Sequence, residues 1–592
     1  MSGDTAKREL PAEKLTRVER HLSEANLSPR WLREDDLQRQ YPDSDVVAGW
    51  RIVLDDDHEV DVLLGPDYPY RRAQIGVAPL RQDIPRSRVF VNSTLCLLKG
   101  NEGHSLNDDE RVLDDLLSRT RALLEGEGED YAARNAEEIV DYWKGSRSSR
   151  SIVSICEVNA AAREVFYSND LPFTLIGDTR EDVERWVRQY SNSTNPTVKH
   201  SVLLSANIEF PVKMSNGRAL YEWFQEKHPD QMTLVESLAA GDPISAPVLI
   251  GITDAAGGGA LLGAWVRRPE KQKVGQPKGL GTPGFRKGKA PGHVAAPYFF
   301  SPESAIENVR VDRADVAWLV DRGGDGSNSA IRSARIVLIG CGSLGSTLAR
   351  LLVKAGASNL TLIDPDLLTW GNIARHELGG RYVGRSKAKA LAETIRRDFP
   401  NVTIGAQFEP WQVTYERDPG VLLDADIVVS TTGEAADEIQ LSDAAIATAN
   451  FPSLLFAWLE PFAAAARVLA LNEGDGCLRC GCDEFGVFRH SITDWNGPTH
   501  RFEPGCSTSW QPYSEIEALP AKAFVARVIL DLLAAKPVRS RLWSWLGPEH
   551  VRTAHGGTLR KEWVEVHGEP PTSGGIYEDE WRTCPACAEP AA

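Results

Sequence analysis

The chain has 592 residues, more than a single hydrophobic core accommodates, so we expect three or four domains. A net charge of −17 argues against general binding to nucleic acid or to anionic membranes. Nine cysteines and a polar N-terminal segment with no apolar leader favour a reducing, cytoplasmic location.

The first 147 residues have the pattern of one α+β domain. The predicted elements, in chain order, are a helix over 15–25, strands within 46–64 and over 74–78, and helices over 111–124 and 130–143. Cys96 lies between the last of these strands and the two later helices. Taken alone, it would be interpreted as a buried strand cysteine.

The order of motifs around Cys96 resembles that of ubiquitin-conjugating (E2) domains. A Gly65-Pro-Asp-Tyr68-Pro69 turn is followed by a strand, a short loop and a cysteine that precedes a leucine. This resemblance implies that Cys96 carries a thioester. The sequence departs from the family because the His-Pro-Asn box is missing. Asn92, which could stabilise an oxyanion, is closer to the cysteine than the usual asparagine.

Residues 148–310 contain fewer sequence motifs that indicate a fold or a function. The stretch 246–266 has a single charge and could be mistaken for a membrane span. The sequence Asp254-Ala-Ala-Gly-Gly-Gly at its centre predicts instead two buried strands around a turn. No glycine-rich phosphate loop occurs between 152 and 310.

A strand–turn–helix nucleotide site is predicted where the apolar run 335–339 ends in Gly340-Cys-Gly342-Ser-Leu-Gly345. Glycines let the backbone approach phosphate, and a helix N-terminus favours negative charge. Asp364 ends the next apolar run, where an acidic residue would bind ribose hydroxyls. This motif alone would suit NAD equally well.

Polar residues further along favour ATP. Asn372 and Arg375 form an Asn-x-x-Arg motif and Lys387 follows, and such cations can neutralise a triphosphate. The motifs resemble the ThiF/MoeB/E1 superfamily, whose members adenylate the C-terminal carboxylate of a small ubiquitin-like or sulfur-carrier protein. The resemblance covers about 310–590. It implies that Asp364 holds the ribose and that Asn372, Arg375 and Lys387 hold the phosphates, on a doubly wound, mostly parallel sheet.

The resemblance also implies Mg²⁺, because the reaction releases pyrophosphate from ATP. The family usually places an aspartate after the strand that ends at Thr432. Here that position holds Gly433, followed by Glu434, with Asp437 one helical turn further on. Glu434 is our choice of ligand, and the assignment stays open.

Two Cys-x-x-Cys pairs, Cys477/Cys480 and Cys584/Cys587, could supply four thiolates to tetrahedral zinc. The resemblance implies zinc at this place, which would attach the C-terminal tail to the domain. A redox disulfide and reduced core cysteines are the alternatives. We treat Cys482, two residues beyond the first pair, as a bystander.

Cys506 lies in a polar loop punctuated by glycine and proline, where a thiol would be accessible. It falls between the two Cys-x-x-Cys pairs, where the family places its thioester cysteine. The alternative is a partly buried loop thiol. Cys156, at the end of an apolar strand, and Cys341, within the glycine loop, are predicted to be structural.

The order of the three regions, 1–147, 148–310 and 311–592, resembles the E1–E2 fusion proteins of bacterial CBASS anti-phage operons and of related ubiquitination-like operons. That resemblance implies an inactive adenylation-like α/β middle domain and a homodimer. It implies ATP-dependent activation of a partner protein's C-terminus, a thioester on Cys506, and transfer to Cys96 and then to an amine. The partner would be a cGAS-like nucleotidyltransferase (CD-NTase) or a ubiquitin-like protein.

Three other functions remain open from the sequence. The first is a sulfur-carrier adenylyltransferase of the ThiF/MoeB kind, with the N-terminal domain as a docking module. The second is an NAD(P)-dependent oxidoreductase. The third is a non-enzymatic sensor or scaffold on a degenerate nucleotide fold, against which the intact Arg375 and Lys387 argue.

Overall fold

The computed structural model of the chain forms two compact units, Met1–Glu184 with Pro196–Ala314, and Arg185–Asn195 with Asp315–Ala592. The residues it describes are 10–41, 45–55, 58–77, 94–95, 97, 109–124, 143, 150–158, 161–191, 193–206, 214–253, 259–268, 282, 284–286, 288–321, 329–472, 475–483, 488–502, 509–535 and 539–581. Among the described helices, none combines the length and the apolar character needed to cross a bilayer.

An antiparallel sheet with helices packed on it makes up the described part of the N-terminal region. Its elements are α1 (Ala12–Glu24), β1 (Arg30–Trp31), α2 (Glu34–Gln40), β2 (Ala48–Val53), β3 (Glu59–Leu64), β4 (Gln74–Gly76) and α3 (Asp109–Leu124). The four strands pair in chain order. Arg17 on α1 contacts Asp109 at 2.9 Å and Glu110 at 2.8 Å, which ties α1 to α3. The predicted elements up to residue 124 are confirmed.

Seven strands of the middle region close into a barrel in the order β10-β11-β5-β7-β6-β8-β9. Its elements are β5 (Ser151–Ser154), β6 (Arg163–Ser168), β7 (Thr174–Gly177), α4 (Arg180–Ser191), β8 (Lys199–Ala206), α5 (Gly217–Lys227), α6 (Met232–Ala240), β9 (Ser245–Thr253), β10 (Gly259–Arg267), α7 (Gly292–Phe299) and β11 (Ala305–Arg313). Strands β9 and β10 pair antiparallel along their whole length. The prediction of two strands rather than a membrane span is confirmed, and the predicted turn between them lies outside the described residues.

This barrel differs from the adenylation-like sheet that the resemblance implied for the middle region. An adenylation fold has an open, doubly wound sheet, whereas here β10 pairs with both β9 and β11 and the sheet closes on itself. The apolar strands read from the sequence are present. Closure depends on which strands pair across the barrel, and an apolar run does not specify that.

Trp143 connects the N-terminal segment to the barrel. The sequence placed it in the closing helix of the first domain, and it is helical. Its side chain is only 1% exposed and packs in the core shared by α5, α6, α7 and the strands β8 to β10. Its Nε1–H donates to the carbonyl oxygen of Gly263 at 2.7 Å.

An eight-stranded sheet dominates the second unit, in the order β14-β13-β12-β15-β16-β17-β21-β23. The elements are α8 (Val316–Asp321), α9 (Ser329–Ser333), β12 (Arg335–Ile339), α10 (Ser343–Lys354), β13 (Asn359–Ile363), α11 (Lys387–Asp398), β14 (Thr403–Gln407), α12 (Trp411–Arg417), α13 (Gly420–Leu423), β15 (Ile427–Ser430), α14 (Ala435–Ala447), β16 (Ser453–Leu459), β17 (Ala465–Leu471), β18 (Thr493–Trp495), β19 (Arg501–Phe502), β20 (Ser509–Trp510), α15 (Glu515–Ala534), β21 (Arg541–Leu546), α16 (Glu549–Thr553), β22 (Gly557–Leu559), α17 (Lys561–His567) and β23 (Gly575–Glu580).

The first five strands of this sheet are parallel, and β17, β21 and β23 extend it in antiparallel fashion. Helices cover both faces. One core packs α10, α11 and α15 against the sheet, and the other packs α12 to α14 and the Cys477 segment. Parallel strands buried on both faces read as continuous apolar runs, which is why the sequence located them. The doubly wound, mostly parallel expectation is met, with an antiparallel extension.

Candidate nucleotide site and cysteine centres

The chain turns sharply where β12 meets α10. Gly340 has a φ of +90°, in the left-handed region that favours glycine. A Cβ on Gly345 would clash with the carbonyl oxygen of Gly340 and with Thr431 Oγ1. Gly342, the residue that precedes α10, has no described atom within 4 Å of its Cβ position. The turn itself therefore requires Gly340 and Gly345, whereas the space beside Gly342 is open to a ligand at a helix N-terminus.

Asp364 lies directly against this turn. Its Oδ2 accepts the N–H of Cys341 at 2.6 Å, and its Oδ1 accepts the N–H of Asp366 at 2.8 Å. Burial raises the pKa of Asp364, while these two amides and the charge of Lys387 oppose the rise. The carboxylate thus already stabilises the glycine turn, and its contact with ribose stays a prediction.

Lys387 begins α11 and is joined to the same turn through Asp366. Its Nζ donates to Asp366 Oδ2 at 2.8 Å, and its backbone N–H donates to the Asp366 carbonyl oxygen at 3.0 Å. The lysine side chain is 10% exposed, whereas that of Asp366 is 65% exposed. The buried Lys387 ammonium is therefore held at the edge of the site by the solvent-exposed carboxylate of Asp366.

Asn372 and Arg375 lie in the segment between β13 and α11. Asn372 Oδ1 accepts hydrogen bonds from the N–H and the hydroxyl of Thr369, both at 3.0 Å, so it stabilises its own turn. Arg375 Nη1 donates to the carbonyl oxygen of Gln511 at 2.7 Å, and its guanidinium carbon lies 4.5 Å from the centroid of the Tyr513 ring. Both side chains are half-buried.

His376 belongs to this site and was not singled out by the sequence. Its Nδ1 accepts the N–H of Leu378 at 2.9 Å, so the ring proton resides on Nε2, which donates to the Cys341 carbonyl oxygen at 2.8 Å. Burial lowers the pKa of His376 to about 4. In the sequence, only its position directly after Arg375 indicated that His376 could belong to the site.

Glu438 is a second residue that the sequence analysis missed. It lies in the first turns of α14, 6% exposed. Its Oε1 accepts hydrogen bonds from Ser430 Oγ, Thr432 Oγ1 and the N–H of Gly433, each at 3.2 Å. Burial raises its pKa to about 7. Glu434, our choice of Mg²⁺ ligand, is exposed.

The first Cys-x-x-Cys pair has a geometry suited to a metal. Cys477 Sγ and Cys480 Sγ are 3.7 Å apart, and Cys480 Sγ accepts the N–H of Cys477 at 3.3 Å. Two thiolates on tetrahedral zinc lie about 3.8 Å apart, given Zn–S bonds of about 2.3 Å. Within the described ranges no group of three potential ligands occurs. Cys584 and Cys587 lie outside those ranges.

Cys482 does not join the pair. Its Sγ donates to the carbonyl oxygen of Leu478 at 3.5 Å, and burial raises the pKa of the Cys482 thiol.

Cys156 and Cys341 are fully buried, and burial raises the pKa of each thiol well above its ordinary value. This burial agrees with the prediction that both cysteines are structural.

The two predicted thioester cysteines, Cys96 and Cys506, lie outside the described residues. The residues next to Cys96 are held in place: the Leu95 N–H donates to the Ile75 carbonyl oxygen at 2.7 Å, and Arg119 Nη1 donates to the Leu97 carbonyl oxygen at 3.4 Å. Around Cys506, β19 and β20 pair with each other.

Residues 317–510 match the model of the ThiF family, which agrees with the resemblance inferred for the C-terminal region. Among curated proteins, the chain is 31% identical over 233 residues to the "ATP-dependent ubiquitin transferase-like protein Cap2" of Pseudomonas aeruginosa, covering 38% of this chain and 40% of that protein. It is 26% identical over 277 residues to the protein of the same name from Escherichia coli, covering 44% of each.

The chain therefore spans less than half the length of these two relatives. A shorter match, 32% identical over 119 residues, joins it to the "Adenylyltransferase and sulfurtransferase uba4" of Aspergillus fumigatus, over 20% of this chain and 23% of that one. Among solved structures, E. coli MccB with succinimide matches at 15% identity and a TM-score of 0.30, over 44% of this chain and 67% of that one. A similarity at that TM-score adds nothing to the assignment.

Proposed function

We propose that the chain is an E1-like enzyme that uses ATP to adenylate the C-terminal carboxylate of a partner protein. The proposal depends chiefly on the arrangement around Cys341: a helix N-terminus with open space at Gly342, bordered by Asp364, Lys387 and the segment that carries Arg375. The ThiF match and the relatives named as ubiquitin transferase-like support the same reaction.

In the first step a carboxylate oxygen of the partner attacks the α-phosphate of ATP and pyrophosphate leaves. Amides at the start of α10 would bind phosphate oxygens, and Arg375 and Lys387 would neutralise the negative charge that pyrophosphate carries away. Mg²⁺, when bound, would add charge neutralisation on the triphosphate. Glu434 is exposed near this edge and Glu438 is buried beside it, so these two are the carboxylates to test as ligands.

We further propose that two thioesters follow. The Cys506 thiolate attacks the carbonyl carbon of the acyl-adenylate, and AMP leaves as the C–S bond forms. The Cys96 thiolate then takes the acyl group and releases Cys506, and an amine finally displaces Cys96 to form an amide. Cys506 lies outside the described residues, so its role rests on the resemblance and on its polar, glycine- and proline-containing loop. The helix–sheet–helix order of residues 12–124 supports an E2-like domain.

A structural zinc completes the proposal for the second unit. Trp581 Nε1 donates to the carbonyl oxygen of Cys477 at 3.0 Å, so the described end of the chain reaches the first cysteine pair. Cys584 follows Trp581 by three residues, a span of at most about 11 Å. Four thiolates would hold zinc in closed coordination and supply folding energy rather than chemistry.

The biological setting we propose is anti-phage defence in the cytoplasm. The protein would act as a homodimer, and the cargo would be a cGAS-like nucleotidyltransferase or a ubiquitin-like protein. The one alternative with specific support is a sulfur-carrier adenylyltransferase, favoured by the match to an adenylyltransferase and sulfurtransferase. In that case the region around Cys96 would serve only for docking.

One experiment separates the two. The full chain is incubated with ATP, Mg²⁺ and candidate proteins encoded by neighbouring genes, and adducts are resolved on non-reducing gels. We expect Cys506→Ala to abolish thiol-sensitive adducts, and Cys96→Ala to retain the Cys506 adduct but form no amide. Cys482→Ala is the matched control and should behave as wild type. Normal conjugate yield in Cys96→Ala would support the alternative, and unchanged adducts in Cys506→Ala would contradict the relay.

A further inference from the structure

The guanidinium of Arg375 is held from one side by the segment that precedes α15. Its Nη1 donates to the Gln511 carbonyl oxygen at 2.7 Å, and its guanidinium carbon lies 4.5 Å from the Tyr513 ring centroid. An arginine has five N–H donors. Among the described residues, only one hydrogen-bond acceptor of the Arg375 side chain is found, the Gln511 carbonyl oxygen, and we expect a phosphate to accept from the other donors.

The backbone of Arg375 is held from a different direction by Lys522 on α15. This lysine is 0% exposed, and its Nζ donates to the Arg375 carbonyl oxygen at 3.4 Å, to Thr347 Oγ1 at 3.1 Å and to Glu515 Oε2 at 2.6 Å. All three ammonium donors are used. Thr347 lies on α10, so one buried cation connects the Arg375 backbone to the helix that follows the glycine turn.

Burying a charged group is costly unless it is paired and fully hydrogen-bonded. Burial lowers the pKa of Lys522, and the charge and hydrogen bond of Glu515 oppose that change. A methionine could fill the same core position between α10 and α15 without burying a charge, but Glu515 would lose its ion pair. What the lysine adds is three directed hydrogen bonds, and one of them ends on the residue predicted to bind phosphate.

We propose that Tyr513 and Lys522 are positioning residues for triphosphate binding: the ring sets the plane of the Arg375 guanidinium, and the ammonium sets its backbone relative to α10. The inference rests on the proposed function, because it needs Arg375 to meet the triphosphate. It makes nucleotide binding dependent on the segment from Gln511 to Lys522, which lies more than a hundred residues beyond the glycine turn.

The test measures the affinity of the full chain for ATP–Mg²⁺ and for AMP by calorimetry, with the thermal midpoint recorded for each variant without nucleotide. We expect Tyr513→Leu and Lys522→Met to weaken ATP binding by about tenfold and AMP binding by less than about twofold, because Arg375 would contact only phosphates that AMP lacks. Tyr513→Phe keeps the stacked ring and should bind ATP as wild type does. Tyr415→Leu, a half-buried tyrosine on α12, is the matched control.

The outcomes are distinguishable. If wild type binds ATP and AMP equally well, or binds neither, the proposed function fails. If wild type prefers ATP and both Tyr513→Leu and Lys522→Met keep that preference, the positioning role fails while the proposed function stands. A parallel loss of ATP and AMP affinity with a lowered thermal midpoint means a purely structural role and also overturns the inference. If Lys522→Met does not fold, Tyr513→Leu against Tyr513→Phe decides.

Discussion

His376 donates its Nε2–H to the carbonyl oxygen of Cys341 at 2.8 Å, in the middle of the glycine turn. The same ring accepts the N–H of Leu378 through Nδ1, so it must be neutral to make both bonds. The segment between β13 and α11 is thereby attached to the turn through an uncharged histidine.

The neutral histidine gives a prediction for acid. Burial lowers the pKa of His376 to about 4, and the charges of Lys387 and Lys522 act in the same direction. Between pH 6.5 and about 4, His376 is therefore protonated in the unfolded chain and neutral in the folded chain. Stability from this group is present above pH 6.5 and falls by about 3 kcal/mol across that window. We expect the thermal midpoint of His376→Gln, relative to wild type, to rise as the pH is lowered from 7 to 5. A constant difference would contradict the assignment.

For Glu438, the predicted dependence of stability on pH is the opposite of that for His376. Burial raises its pKa to about 7, so the folded chain retains a proton that the unfolded chain has lost above pH 4.5. Stability from this group is present below pH 4.5 and falls by about 3 kcal/mol as the pH rises to about 7. The thermal midpoint of Glu438→Gln relative to wild type should therefore rise from pH 5 to pH 8. Glu434→Gln, one helical turn away and exposed, is the control and should show a much smaller trend, because its charge is the weakest of the effects on the pKa of Glu438.

Alanine substitutions at the two glycines on either side of the start of α10 should have different effects, one on stability and the other on ATP binding. Gly345→Ala would press a methyl group against Gly340 and Thr431, so we expect it to destabilise the unit by about 2–3 kcal/mol. Gly342→Ala meets open space and should change stability by no more than about 0.5 kcal/mol. It should nevertheless weaken ATP binding about tenfold, because a methyl group would stand where phosphate approaches the backbone. Thermal unfolding and calorimetry measure the two effects, and normal ATP affinity in Gly342→Ala would count against the site.

Metal analysis tests the cysteine pair. We expect the purified chain to carry one zinc, and both Cys477→Ser and Cys480→Ser to lose it. The thermal midpoint should fall by at least about 5 °C, since structural zinc contributes several kcal/mol to folding. Cys482→Ser is the matched control, because the Cys482 thiol donates a hydrogen bond to the Leu478 carbonyl oxygen. Full zinc content in Cys477→Ser would contradict a four-thiolate site.

Much of the second unit could be read from the sequence because its parallel strands are buried on both faces. Arg335–Ile339 and Ile427–Ser430 appear as continuous apolar runs, and the glycines that follow the first run are required by the turn. His376 and Glu438 could not be found in that way. The sequence around them does not show that His376 donates to a carbonyl oxygen in the glycine turn, or that Glu438 accepts from two hydroxyls and an amide at the end of β15.

The amino-acid sequence by itself determined where the apolar strands and glycine turns occur, because periodicity and glycine conformation are local properties of the chain. Only the tertiary structure decided that the middle strands close into a barrel, and that Lys522 connects Arg375 to Thr347. Strand closure and buried ion placement depend on contacts between residues far apart in sequence. Such contacts follow from how whole elements pack, which no local pattern encodes.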